Sequence, residues 1–193
     1  MSELALSLED AIRREQAVAE ALRIINRSRG DIAVAMSAIL GFTLELCEAE
    51  FGILFDRHGG ARFAASHTRG IPAALKVWLD AHGVFAAGPR TGLGRLATHN
   101  ATVNIVDVRA EDVFQSDDPV RYATAILGEA RSVVAIPMLS GDRMVGAFTI
   151  YRQSVRPFSH RTATLAQVFA DQSVIPLDTA RMIGALRVQA ADA

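Results

Sequence analysis

The chain has a single cysteine, Cys47, and a single lysine, Lys76. One thiol excludes an intramolecular disulfide, a cysteine-based zinc cage and any chemistry that needs a resolving thiol. An excess of charge of either sign is missing too: 20 basic residues against 21 acidic ones leave a formal net charge of −1. That balance supplies no general attraction to nucleic acid or anionic membrane, so neither is expected as a partner. No apolar run is long enough to span a bilayer, and the first ten residues have no basic flank leading into an apolar stretch, which points to the cytoplasm. Internal repeats and low-complexity tracts are absent.

What is present is a chain of 193 residues, half of them hydrophobic. That length suits one globular core with flanking helices better than two domains. The organising stretch is 132–152, SVVAIPMLSGDRMVGAFTIYR, two apolar runs around Ser140, Gly141 and Asp142. Those three residues suit a tight turn, so the stretch reads as an antiparallel hairpin. Neither arm alternates apolar with polar, so both are expected mid-sheet and covered on both faces. Pro137 cannot donate to a ladder and marks a bulge or bend.

Ser7 and Asp10 form a weak capping box for a first helix over 7–27. Asp31 is placed to cap a second helix over 32–47, with Val34, Ala35, Ala38, Ile39, Phe42 and Leu46 on its buried side. Residues 51–56 and 61–68 read as a second hairpin around Arg57, His58, Gly59 and Gly60. Pro72 opens a helix reaching about residue 81. After a stretch rich in Gly and Ala, 103–108 reads as a strand, and Pro119 starts a short helix inside the long segment 109–128. Ser159 caps a long final helix. Its seam of Leu165, Val168, Gln172, Ile175, Thr179, Met182, Leu186 and Gln189 steps by three and four, as in a coiled coil, with Phe169 beside it to pack on the sheet. Pro176 is expected to kink this helix.

The element order, with the phrases LCEAEFGILF, GPRTGLGRLATHNATVNIVDV, SVVAIPMLSGDRMVGAFTIYR and VRPFSHRTATLAQVFADQSVIPLDTARM, resembles a GAF domain of the kind found in bacterial sensor histidine kinases and adenylate cyclases. The resemblance implies an α+β, PAS-related fold with a central antiparallel sheet of about five to six strands. Terminal helices would cover one face, and short helices and long loops the other. It divides the chain into an N-terminal signalling or dimerisation helix (1–30), a sensor domain (31–158) and a C-terminal helix (159–193). It implies an unidentified small-molecule ligand, a homodimer through the terminal helices and an unnamed downstream effector. The chain is then a stand-alone sensor or the input part of something longer. The alternative is a structural dimerisation or interaction module with a closed, ligand-free pocket.

By that topology Phe63, Ala65, Trp78, Phe85, Leu93, Val103, Tyr122 and Ser132 are the pocket candidates. Arg95, Arg121 and Arg131 are the groups suited to an anionic ligand, and Arg95 and Arg131 join the candidate site.

Other chemistries find less support. Gly92, Leu93, Gly94, Arg95, Leu96 and Ala97 match the dinucleotide fingerprint, but Gly88, Pro89 and Arg90 precede them where a buried strand should lead in. Relatives that bind cyclic nucleotides carry a lysine between an asparagine and a later phenylalanine and acid pair. Asn104, Phe114, Asp117 and Asp118 echo that motif without the lysine, so cyclic GMP is not expected. A bilin needs a pocket cysteine, whereas Cys47 belongs to a helix before the first strand. Methionine sulfoxide reduction by GAF relatives requires several cysteines. The five histidines include no helical pair at metal-ligand spacing. His67 and His82 are the two that could face a pocket, yet an ordinary hydrogen-bonded imidazole is the better reading, and haem is not expected. No serine sits in a nucleophile elbow, so the chain reads as non-catalytic.

Overall fold

The computed structural model describes residues 31–115 and 117–191, together with helical positions 15, 16, 19, 20 and 23; side chains are described as far as residue 175, except that of Gln115. The expected first helix over 7–27 therefore lies almost wholly outside the described residues. The elements in order are α1 (Ile32–Leu46), β1 (Phe51–Arg57), β2 (Arg62–Arg69), α2 (Ala73–His82), β3 (Val84–Ala86), α3 (Gly92–His99) and β4 (Val103–Ile105). A 3₁₀ turn (Asp112–Gln115), α4 (Pro119–Tyr122) and a π turn (Ala123–Leu127) follow, then β5 (Ser132–Ser140), β6 (Arg143–Arg152) and α5 (His160–Ala191).

The expected hairpin is present as β5 and β6, turning at Gly141, whose φ of 60° is the left-handed conformation such a turn demands. It belongs to a six-stranded sheet of order β3-β2-β1-β6-β5-β4. Every pairing is antiparallel. Residues Met144–Arg152 of β6 are buried without interruption, as the unalternated sequence requires. The bulge falls between Met138 and Leu139, just past Pro137. Strand β4 pairs only with Val133–Ala135, so no strand on that side meets the missing N–H of Pro137.

Alternate residues of the central strands enter two separate cores. On one face Leu54, Val134, Ile136, Met138, Phe148 and Ile150 pack under α1 and α5. On the other, Phe51, Ile53, Phe55, Val133, Ala135 and Tyr151 pack under α2, β3, α3 and α4. Asp31 caps α1 by accepting from the Val34 N–H at 3.2 Å. The buried face of α1 is Ala35, Met36, Ile39, Leu40, Thr43 and Leu44, while Val34, expected inside, is exposed. The helix is apolar around much of its girth, so position against the sheet, and not pattern, selects the face.

Ser159 caps α5 by accepting from the Thr162 N–H at 3.1 Å. Ala166, Phe169, Ala170 and Val174 then dock on the sheet. The helix continues past Pro176 to Ala191. Of the proposed seam, Leu165, Val168 and Gln172 are half-buried and Ile175 is 64% exposed; the side chains of Thr179, Met182, Leu186 and Gln189 lie outside those described. No helix among the described residues is long and apolar enough to cross a membrane.

Arg152, at the end of β6 and 5% exposed, ties the helical layer together. Its Nη2 donates to the Cys47 carbonyl at 2.7 Å, its Nε to the Glu48 carbonyl at 3.0 Å and its Nη1 to the Arg156 carbonyl at 2.8 Å. The guanidinium lies over the Phe158 ring at 4.1 Å.

Phe169 is fully buried. Replacing it with alanine is expected to lower unfolding free energy by roughly 3–5 kcal/mol, measured by urea denaturation. Val77→Ala, at an exposed position of α2, should shift it by no more than about 0.5 kcal/mol.

Candidate ligand site

The face opposite the long helices is roofed by short pieces, and each has a local reason for its shape. Pro72, with φ −59° and ψ 143°, leads into α2. Thr91 caps α3, its Oγ1 accepting from the Gly94 N–H at 3.1 Å. A Cβ on Gly94 would lie 1.9 Å from the Gly88 carbonyl oxygen. The glycine of the apparent dinucleotide fingerprint therefore serves the packing of α3 against its own preceding turn. Asp118 caps α4 with Oδ1, accepting from the N–H groups of Val120 and Arg121 at 3.0 and 2.9 Å. The π turn that follows is an unusual backbone form, frequent at functional sites.

Between sheet and roof lies a hollow. Its floor is Ile53, Phe55, Phe85, Ile105, Val133, Ala135, Thr149 and Tyr151 of the sheet; its roof includes Leu75, Trp78, Leu79, Thr91, Leu93, Val120, Arg121 and Thr124. The space open to the centre of a water molecule is about 30 Å³. That holds a water or two, whereas pockets for drug-sized ligands run to about 300–1,000 Å³. Phe85 sits edge-on to Phe55 at 5.9 Å and to Trp78 at 5.4 Å, closing one end.

Buried polar groups interrupt the apolar wall. Tyr151 stacks on Phe51 at 4.4 Å, and burial pushes its phenol up to about 12, so it stays neutral. The Thr149 hydroxyl donates to the Ile53 carbonyl at 2.9 Å, and that of Thr124 to the Val120 carbonyl at 2.8 Å. Arg121 is 3% exposed, and burial holds its guanidinium below the ordinary value; neighbouring Arg95 acts in the same direction and Glu111 opposes it. Arg121 Nη2 donates to Glu111 Oε2 at 2.6 Å, and Arg95 Nη2 stands 3.0 Å from Glu111 Oε1.

Of the residues expected at the site, Trp78, Phe85 and Leu93 line the hollow. The others do not, for separate reasons. Phe63 is fully buried behind Phe55, edge-on at 6.4 Å. Val103 sits opposite Ala135 on the edge strand, two residues before Ile105, which does reach the hollow. Ser132 has the wrong parity: Val133 and Ala135 face the hollow, while the Ser132 hydroxyl donates to the Val106 carbonyl at 2.6 Å. Tyr122 is 54% exposed. Arg131 is occupied by Asp107, its Nε and Nη2 donating to the two carboxylate oxygens at 2.9 and 2.7 Å. Arg95 borders an open groove beside the hollow, with Pro89, Arg90 and Glu111. Arg121, one of the three arginines suited to an anion, is the one in the wall. Thr149 and Tyr151 were not anticipated; their signal is polar atoms on one parity of an otherwise apolar strand.

Neither histidine considered for haem lines the hollow. His67 pairs with Leu54, whose side chain is in the helix-side core, and the register shift between Leu54 and Phe55 separates it from Ala65 on the hollow side. His82 stacks on Trp78 at 4.1 Å. Among the described residues no group of three or more His, Cys, Asp or Glu is placed to hold a metal.

The model of the GAF domain family matches residues 31–176. The chain is a GAF domain protein. Solved structures of the same fold include the GAF domain from a Coxiella burnetii phosphoenolpyruvate-protein phosphotransferase, 14% identical, with a TM-score of 0.73 over 91% of this chain and 98% of that one. A domain of a Sinorhizobium meliloti two-component sensor histidine kinase is also 14% identical, with a TM-score of 0.61 over 81% and 98%. A third is free methionine-R-sulfoxide reductase from Neisseria meningitidis, in complex with its substrate, 16% identical, with a TM-score of 0.63 over 95% of each chain. No curated protein matches the sequence. The GAF domain is generally a regulatory, signalling fold, and the Neisseria protein shows that it also serves as an enzyme.

The Asp107–Arg131 pair clamps the segment after β4 to the start of β5. The Arg131 hydrogen bonds hold the Asp107 carboxyl below its ordinary 3.8. A carboxylate depressed on folding stabilises above that ordinary value, and the contribution disappears as pH falls through the lowered one. Asp107→Asn is therefore expected to reduce stability at neutral pH, with the gap from the parent narrowing below about pH 4. Denaturant midpoints recorded across that range test it; a gap constant with pH contradicts the assignment.

Proposed function

We propose that this GAF domain is a non-catalytic sensor in bacterial signal transduction, working in the cytoplasm. A small molecule enters the hollow, resets the roof, and the change reaches an effector through terminal helices paired between two copies of the chain. The observation that carries this reading is the hollow itself, a partly enclosed, mostly apolar space whose roof is built from short elements and a long connection. Such a roof repacks more readily than a helix with a continuous apolar face. Residues 31–158 would be the sensor, with segments 1–30 and 159–193 as the relay. Ligand binding moves the relay only as far as the two helix arrangements differ in affinity for that ligand.

The non-catalytic part of the reading rests on the same residues. Cys47, the one thiol, is buried in the helix-side core and is not part of the hollow's wall. The hydroxyls of Thr149 and Thr124 at the hollow donate to backbone carbonyls, so their protons are committed there.

The small size of the hollow favours a second reading, a dimerisation or interaction module whose pocket stays closed. A thermal-shift screen of uncharged and charged metabolites separates the two. A ligand at a hundred times its dissociation constant stabilises the native state by about 2.7 kcal/mol, or roughly 5–10 °C for a chain of this size. A shift of that order supports the sensor; no shift with any compound leaves the closed module.

The dimer has its own test. Light scattering should give twice the chain mass for the parent. Ile175→Asp, which places a charge in the seam, should move it toward one chain mass, because an unpaired charge in a helix interface is strongly disfavoured. Equal monomer masses for both would remove the pairing.

A further inference from the structure

Arg121 is charged, almost fully buried and incompletely paired. Its Nη2 donates to Glu111 Oε2 at 2.6 Å, but its Nε, also removed from water, has no acceptor. The molecule contains its own standard for comparison. Arg131 engages Asp107 with two parallel N–H···O bonds, the arrangement a planar guanidinium and a carboxylate ordinarily adopt. Glu111 does not meet Arg121 in that way because its other oxygen is turned to Arg95, whose Nη2 stands 3.0 Å from it as an ion pair and whose Nε is buried without an acceptor. Asp118 is the other acid near Arg121, and its Oδ1 is occupied by the backbone N–H groups of Val120 and Arg121. Two guanidinium groups thus share one carboxylate, and buried donors of both are left over. Unsatisfied buried donors are costly, and such a group is a place for a water, an ion or another polar molecule.

The site is asymmetric. Arg121 belongs to the wall of the hollow, and Arg95 and Glu111 to the groove outside it. Around Arg121 the wall is apolar, with Leu75, Phe85, Leu93 and Val133, and the Tyr151 phenol adds a neutral hydroxyl on the floor. The hydroxyl protons of Thr124 and Thr149 are already donated to backbone carbonyls.

We propose that the hollow takes a short-chain organic monocarboxylate, seated two-pronged on Arg121 with its apolar tail against the floor, and that Glu111 is an internal competitor for the same guanidinium. This rests on the sensor reading above and names the ligand class for it. The incoming carboxylate replaces the single bond from Glu111 and satisfies Nε. Glu111 remains with Arg95 on α3 and loses its bond to α4, so the two roof elements it joined are uncoupled. At about 30 Å³ the present hollow is too small for such a molecule, so binding and movement of the roof are one event. Polyphosphates do not fit, because the wall offers one guanidinium and an apolar lining.

The test is a titration of the full chain, followed by Trp78 fluorescence and by melting temperature at constant ionic strength. The probes are sodium acetate and sodium butyrate, against acetamide and butyramide as neutral isosteres. The carboxylates should stabilise saturably, butyrate more than acetate, and the amides should not. Glu111→Gln should tighten butyrate binding about tenfold, a common size for coupling between two competing interactions. Arg121→Gln should abolish it. Should Arg121→Gln fail to fold, the Glu111 variant and the amide pair still decide. Amides equal to carboxylates, or a Glu111→Gln variant that binds butyrate no better than the parent, overturn the proposal. Stabilisation by neutral metabolites alone overturns it while leaving the sensor reading intact, and no stabilisation by any compound removes both.

Discussion

Everything in this protein is arranged around strand β6, which lies between β1 and β5 and keeps nine-tenths of its length out of water. A strand buried on both faces needs a cover on each, and the two covers here are made differently. On one side α1 and α5 supply continuous apolar surface to Leu54, Ile136, Phe148 and Ile150. On the other, short elements and connections do the same work piecemeal. The first kind of cover gains its stability from area removed from water. The second buries apolar side chains too, Leu75, Leu79, Leu93, Leu96 and Val120 among them, and fixes each short piece by its own directional bonds: the caps from Thr91 and Asp118, the Ser132 hydroxyl on Val106, and the Asp107–Arg131 clamp.

That difference in construction bears on function. A layer held by broad apolar contact resists partial change, because any opening exposes area along its length. A roof assembled from short pieces, each with its own polar bonds and a small apolar contact, changes piece by piece. The hollow lies under the second layer, and Arg121 is the place where the polar pairing is left incomplete. Arg152, at the end of β6, plays the opposite part on the helix-covered face of the sheet. Its donors meet the carbonyls of Cys47, Glu48 and Arg156, so it fastens α1, β6 and the approach to α5 into one unit. The two buried arginines differ in satisfaction: Arg152 has acceptors for its Nε and both terminal nitrogens, whereas Arg121 Nε has none.

Much of the fold was legible along the chain. The unalternated arms around Gly141 identified the central hairpin, and Asp31 and Ser159 marked the starts of helices that the structure confirms. The site was harder to read. Ser132 was assigned to the hollow from its place in β5, but side chains on a strand alternate, and a strand buried on both faces carries no polar–apolar rhythm to reveal its parity. Tyr122 and Arg121 are neighbours in sequence, yet one is exposed and the other is in the wall, because adjacent residues on a helical turn point about 100° apart and so short an element has no periodicity to say which faces inward. Residues Val84–Ala86 gave no strand signal, since a three-residue edge is formed by pairing with β2 and not by its own preference.

By itself the sequence determined that there would be a doubly covered antiparallel centre, helices beginning at Asp31 and Ser159, and no thiol chemistry beyond a single cysteine. These are local or compositional facts, and local preferences are enough to state them. Only the tertiary structure decided which face of α1 is buried, which parity of β5 meets the hollow, and that Arg121 rather than Arg131 lies in the wall. The physical reason is the same in each case: an apolar helix or strand has two acceptable orientations, and an arginine has several acceptable carboxylates. The choice is made by what packs on the other side, which comes from residues distant in the chain.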